Sequence, residues 1–258
     1  MEVVILCGGK GTRLKEETEY KPKPLVTVGD MPILWHIMKG YSHFNHHDFV
    51  LALGYKGHLI QDYFRNIRDN TSDYELSLDT GLVKHLGDLG DIEKWKITFA
   101  KTGQESGTAH RLKRVQQYIK GNEFMLTYGD GVADVNLEAL VEQHRKSGVV
   151  ATVTGVMPLT KYGILQTDGK IVTEMKEKPA LDNANVNGGF MILNREVFDY
   201  IPDTEGSMLE QDVLPRLASE RKLGMYDHKG FWHCMDTPKD HEELNKIWNE
   251  KPPWKVWK

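Results

Sequence analysis

The chain has 258 residues, with 33 Lys and Arg against 37 Asp and Glu, a formal charge of −4, and 40% hydrophobic residues. A chain of that size and composition builds one large α/β domain without disulfide staples. The slight acidic excess argues against a general nucleic-acid coat, and no apolar run reaches the roughly 18 residues that a membrane span needs. Two cysteines far apart, Cys7 and Cys234, make no disulfide framework and read as thiols of a reducing compartment. With no basic leader before the first strand, the expected place is the cytoplasm.

Val3 to Leu6 is an unbroken aliphatic run ending at Gly8-Gly9, the pattern of a strand buried on both faces. Pro32 can open a helix, with Ile33, Leu34, Ile37, Met38 and Tyr41 at helical spacing. A second strand, Phe49 to Leu53, stops at Gly54 and leads into a helix over about 57–65. The alternation continues with a strand at Trp95 to Phe99, a helix over about 108–119 and a strand at Phe124 to Tyr128. A helix over about 136–146 and a strand from Val149 to Val156 follow. Strand, glycine turn and amphipathic helix in alternation predict a Rossmann-like, mostly parallel sheet flanked by helices. From about 163 the pattern changes. Gly163 to Gln166, Lys170 to Met175 and Gly189 to Leu193 are short strands separated by turns such as Asp168-Gly169, which predicts a smaller antiparallel region. Helices near 208–219 and 238–249 close the chain, and Pro252-Pro253-Trp254 reads as a docked tail. The polar stretch 66–94 is the least legible, and its length suggests a lid, an insertion or an oligomer contact. The expected organisation is one domain, 1–258, with a first part to about 135, a second over about 136–236 and a terminal helix and tail over 237–258.

The chemistry gathers where strands end. Leu6-Cys7-Gly8-Gly9-Lys10-Gly11-Thr12-Arg13 follows the first strand, and its glycines let backbone N–H groups converge on an anion. Arg13 adds a planar fork suited to phosphate. The spacing fits neither a Walker loop nor GxGxxG. In Lys21-Pro22-Lys23-Pro24 the prolines hold the backbone extended, so both lysines should project to one side. A rigid lysine there can neutralise charge in phosphoryl transfer. Asp130, between Gly129 and Gly131 after another buried strand, is placed for Mg²⁺. Asp236-Thr237-Pro238, taken alone, reads first as a helix N-cap pair. Glu177-Lys178 and Asn187-Gly188-Gly189 offer carboxylate, ammonium and amide groups for sugar hydroxyls, or equally a charged hairpin and a glycine-rich strand start. The histidines show no metal spacing.

Together these motifs resemble the sugar-1-phosphate nucleotidylyltransferases. Pro32-Ile33-Leu34-Trp35-His36-Ile37-Met38, Tyr128-Gly129-Asp130-Gly131-Val132-Ala133-Asp134 and Gly230-Phe231-Trp232 are similar to the cytidylyl branch over nearly the whole chain. The resemblance implies the nucleotidyltransferase (GT-A-like) fold and Mg²⁺-dependent transfer of a cytidylyl group from CTP to α-D-glucose 1-phosphate. The products would be CDP-glucose, for deoxysugar or surface-polysaccharide synthesis, and pyrophosphate. It further implies nucleotide binding by Leu6, Gly8, Gly9, Gly11, Thr12, Arg13, Thr108, Arg111 and Gly129. Catalysis would fall to Arg13, Lys23 and Asp130, and metal binding to Asp130 and Asp236. Glu177, Lys178, Asn187 and Gly188 would hold the sugar phosphate. No nucleic acid or membrane partner is expected, and a homo-oligomer is. Residues 107–111, Gly-Thr-Ala-His-Arg, look more like the uridylyl enzymes, so UTP or dTTP is the alternative nucleotide. A non-catalytic nucleotide-sugar-binding subunit is the alternative of another class.

Overall fold

The computed structural model describes residues 1–157, 164–176 and 185–257. Eight strands among them form one sheet. Val3–Cys7 lies at its centre, buried along its whole length as its aliphatic run requires. It pairs in parallel with Asp48–Leu53 on one side and Glu123–Tyr128 on the other, and Lys96–Lys101 extends the first side, also in parallel. The chain therefore builds outward from Val3–Cys7 through two strands, then returns to its opposite flank. That reversal opens a crevice beyond the carboxyl ends of Val3–Cys7 and Glu123–Tyr128, the place where open α/β sheets take ligands.

Beyond Tyr128 the pairing changes sense. Met191–Asn194 runs antiparallel to both Glu123–Tyr128 and Ala151–Val156. Val186–Asn187 adds a short antiparallel pairing to the latter. Leu223–His228 pairs with it in parallel along six residues. Ile164–Asp168 and Ile171–Lys176 make a separate antiparallel hairpin, as the turn at Asp168-Gly169 predicts. The expected mostly parallel sheet with a smaller antiparallel region is the observed architecture. Leu223–His228 escaped the sequence reading because Leu-Gly-Met-Tyr-Asp-His alternates around a polar, half-exposed surface and shows no apolar run. In the stretch 66–94 the structure places a short helix, Ile67–Thr71, and a hairpin pairing Tyr74–Leu76 with Val83–His85.

Helices cover both faces. Ile33–His43, starting after Pro32, buries Ile33, Leu34, Ile37, Met38 and Tyr41 as spaced. Gly57–Arg65, Thr108–Val115 and Leu137–Ser147 follow the expected positions; the predicted 108–119 helix tightens to a 3₁₀ turn at 116–118. The predicted 208–219 helix opens as a π turn, Leu209–Val213, before Leu214–Ser219. Two apolar clusters result, one on each face. Val3, Ile5 and Cys7 point into the first, and Val4 and Leu6 into the second, as period-two alternation demands. Both cysteines are free thiols. No helix among the described residues is long and apolar enough to cross a membrane.

The tail docks as expected. Trp254 is 2% exposed and Trp257 is 8% exposed. With Trp248 they surround His36, whose ring centroid lies 4.6 Å from that of Trp248 and 6.2 Å from those of Trp254 and Trp257. His36 Nε2 bonds the Val28 carbonyl oxygen at 2.9 Å. Burial in this aromatic nest pulls its pKa down to about 4. The unfolded chain thus takes up a proton near pH 6.5 that the folded chain refuses until about pH 4. The stability is whole above 6.5 and falls as pH drops toward 4, by about 3 kcal/mol from this group. His46, lowered to about 4 chiefly by burial, acts in the same direction. The urea midpoint should fall between pH 7 and 4.5, and His36→Leu should shrink that difference.

Candidate active site

The crevice holds a cavity of about 260 Å³ lined by Leu6, Gly8, Gly9, Lys23, Thr108, Arg111, Gly129 and Asp130. Cys7, Pro24, Ser106, Gly107, Tyr128 and Met208 complete its wall. A larger, open hollow of about 640 Å³ between Met1, His46 and Arg145 holds none of the predicted site groups.

Three distant segments converge at the mouth of this cavity. Lys23 begins a 3₁₀ turn, Lys23–Leu25, and its Nζ lies 2.6 Å from both Asp130 Oδ2 and Asp236 Oδ1. Arg13 Nη1 reaches Asp236 Oδ2 at 3.2 Å from an exposed position. Lys21 does not share this side, contrary to expectation: the turn at Lys23 ends the extended run, and Lys21 pairs with Glu17 at 3.1 Å. The two aspartates meet because Gly131–Ala133 pairs with Trp232–Cys234, Gly131 facing Cys234. The Met235 N–H then donates to the Asp130 carbonyl at 2.9 Å. The helix Pro238–Glu250 is capped by Thr237, which forms a capping box with Asp240. That arrangement leaves the Asp236 carboxylate free to face the cavity rather than cap the helix.

Burial pulls the Lys23 ammonium toward neutrality, but the Asp130 charge and the hydrogen bonds to Asp130 and Asp236 outweigh it, and its pKa rises above the ordinary lysine value. It stays charged at neutral pH. Burial, and then the Asp130 charge, pushes the Cys234 thiol up, so it stays protonated. Asp130, Cys234 and Asp236 bring potential ligand atoms within 4.8 Å of one another. With the sulfur protonated, the donors on offer are two hard carboxylates. That set suits a divalent cation which draws its remaining ligands from phosphate and water.

Arg111 takes a place that the sequence did not foresee. It lines the cavity, yet the residue is only 4% exposed. Its guanidinium donates to the carbonyls of Gly8 at 3.2 Å, Gly103 at 2.5 Å and Gln104 at 3.0 Å, and to Thr102 Oγ1 at 2.8 Å. A Cβ at Gly8 would fall 2.1 Å from Arg111 Cζ, so glycine is required there for close approach, and the arginine fixes the loop from beneath. Gly11, at φ +62°, makes the turn that follows. Gly11, Thr12 and Arg13 stand outside the cavity wall itself. Asn187 touches the cavity wall, its Nδ2 donating to Tyr128 Oη at 3.2 Å, whereas the Gly188 carbonyl accepts from Trp232 Nε1 at 2.8 Å, outside that wall. Glu177 and Lys178 lie outside the described residues.

A glycine loop at the sheet's reversal, beside an ammonium that bridges two carboxylates at a cavity, suits phosphoryl-group chemistry. The profile of the nucleotidyl transferase family matches residues 2–250, and the chain belongs to that family. Within it, the chain is 43% identical over 258 residues to the probable glucose-1-phosphate cytidylyltransferase of Bacillus subtilis, covering all of both chains. It is 43% identical over 261 residues to the glucose-1-phosphate cytidylyltransferase of Salmonella typhi, again at full coverage of both. The fold is also that of a putative glucose-1-phosphate thymidylyltransferase from Bacillus anthracis solved with sucrose. That structure superposes with a TM-score of 0.71 at 18% identity, over 97% of this chain and 96% of that one.

Since one ammonium bridges both carboxylates, a divalent cation must compete with it. Lys23→Met should therefore bind Mn²⁺ without nucleotide about tenfold or more tightly than the parent protein, as read by electron paramagnetic resonance. Equal affinities would show that Lys23 does not occupy the cation's place.

Proposed function

We propose that the protein is a glucose-1-phosphate cytidylyltransferase, joining CTP and α-D-glucose 1-phosphate to give CDP-glucose and pyrophosphate. The observation that carries this reading is the full-length 43% match to chains of that name; the site supplies the matching chemistry. An oxygen of the sugar phosphate attacks the α-phosphorus, and the bond to the departing pyrophosphate breaks. Such a transfer asks the protein for positioning and charge neutralisation. The glycine-loop amides and the loop-fixing Arg111 shape the nucleotide cradle. Lys23 and Arg13 place positive charge where the phosphates gather. Asn187, tied to Tyr128, stands on the sugar side with Gly188, and Glu177 and Lys178 complete that side in this reading. Mg²⁺, held by Asp130 and Asp236, would supply further neutralising charge to the phosphates.

The choice of CTP over UTP gains support from His110, the residue that makes the 107–111 loop look uridylyl-like. Its Nδ1 bonds the Thr204 carbonyl at 3.0 Å, and it is absent from the cavity wall. The same reading places the enzyme in the cytoplasm, as a homo-oligomer.

Pyrophosphate release scored over four nucleoside triphosphates and several sugar 1-phosphates tests the assignment. CTP with glucose 1-phosphate should be fastest. A product pool dominated by UDP-glucose from equal CTP and UTP would overturn the choice of base and leave the reaction class standing. Asp130→Asn and Asp236→Asn should each fold and lose turnover by about 10²-fold or more. Near-parental turnover of Asp236→Asn at saturating Mg²⁺ would remove that residue from the site.

A further inference from the structure

The π turn Leu209–Val213 carries Glu210, and among the described residues no lysine, arginine or histidine pairs with its carboxylate. It is held instead by two hydroxyls of the cavity wall. Thr108 Oγ1 donates to Glu210 Oε2 at 2.7 Å, and Tyr128 Oη donates to Glu210 Oε1 at 2.5 Å. A carboxylate only accepts, so both hydroxyl protons are spent on it. Thr108 Oγ1 in turn accepts from the Leu209 N–H at 2.8 Å, and Tyr128 Oη accepts from Asn187 Nδ2 at 3.2 Å. Burial, and then the Glu210 charge, raises the Tyr128 pKa, which keeps that proton in place.

The backbone around Thr108 is spent in the same sense. The N–H of Gly107 donates to the Glu205 carbonyl at 2.7 Å, and those of Ala109 and His110 donate to the Ser207 carbonyl at 3.1 and 3.3 Å. Segment 205–207 sits so close that a Cβ at Gly107 would fall 2.1 Å from the Ser207 oxygen. Four amides (Gly107, Ala109, His110 and Leu209) and two hydroxyls thus have no proton left for a ligand. Thr108 retains a lone pair. On this wall those protons are taken and the Thr108 oxygen is left as an acceptor, while the opposite side of the cavity carries Lys23 and the glycine loop.

Resting on the cytidylyltransferase reading, we propose that Glu210 is a positioning residue for base selection. By fixing the Thr108 hydroxyl as an acceptor, it makes this wall select the 4-amino group of cytosine. The 4-carbonyl of uracil would set acceptor against acceptor. Glu210 does not line the cavity and acts only through Thr108 and Tyr128.

The test is competition between equal CTP and UTP with glucose 1-phosphate, in the parent, Glu210→Gln, Thr108→Val and Thr108→Ser proteins. Thermal unfolding of each checks the fold. A glutamine can turn its NH₂ toward Thr108 and release the hydroxyl proton to a carbonyl. Glu210→Gln should therefore raise the ratio of UDP-glucose to CDP-glucose by about 5- to 150-fold, the range for one mismatched polar contact. Thr108→Val should lower CTP use more than UTP use, and Thr108→Ser should restore the parent's preference. An unchanged product ratio in Glu210→Gln, with both nucleotides slowed equally or not at all, overturns the proposal. A parent that prefers UTP overturns the underlying choice of base instead, so the two failures are distinguishable.

Discussion

One ammonium between two carboxylates organises the site. Lys23, Asp130 and Asp236 are separated by 107 and 106 positions along the chain, yet Lys23 Nζ lies 2.6 Å from an oxygen of each aspartate. Either aspartate alone beside the other would carry unrelieved like charge at the edge of a low-dielectric cleft. The lysine eases that conflict and ties its own 3₁₀ turn, the end of the strand Glu123–Tyr128 and the start of the last helix to a common point. A divalent cation and phosphate groups would exchange partners with this cluster. The arrangement that stabilises the empty cleft is thus also preorganised for anionic substrates.

The surrounding structure maintains that point by short, local devices. The ladder between Gly131–Ala133 and Trp232–Cys234 sets the two aspartates side by side. Thr237 and Asp240 cap the last helix, so Asp236 is spared that duty. The same helix carries Trp248 onto His36, where Trp254 and Trp257 close over it. The docked tail therefore anchors an element that begins one residue after the capping threonine. Arg111 performs the equivalent task beneath the glycine loop, collecting carbonyls that would otherwise be buried without donors.

The two sides of the cleft also differ in hydrogen-bond character. On one side lie the glycine loop and Lys23. On the other, segment 205–210 consumes the donors of the Thr108 helix start and of Tyr128. A ligand with phosphates at one end and hydrogen-bond donors at the other fits that polarity in one direction only. In the proposed reading, base selection rests on this ordering of protons as well as on shape.

The sequence by itself determined the elements with strong periodicity. Val3 to Leu6 and Phe124 to Tyr128 are aliphatic enough to be central strands, and Ile33 to Tyr41 repeats at helical spacing; burial enforces both. It also marked Gly8, Gly9, Lys23 and Asp130 as chemical, because the glycines and the aspartate follow buried strands, where open α/β sheets take ligands, and prolines hold the lysine rigid nearby. Tertiary structure decided what depends on contact between remote segments. Leu223–His228 becomes a strand only because Ala151–Val156 offers it an edge, and nothing in its own pattern requires that. Whether Asp236 caps a helix or faces the cleft was settled by a three-residue ladder too short to leave a periodic trace. Lys21 and Lys23 looked equivalent until a single turn gave them different partners. Glu210 was invisible because an exposed glutamate in a helical stretch carries no local signal; its role comes from Thr108 and Tyr128, 102 and 82 residues away. Local sequence fixes periodicity and backbone freedom, whereas the direction of a hydrogen bond is set by whichever partner the fold delivers.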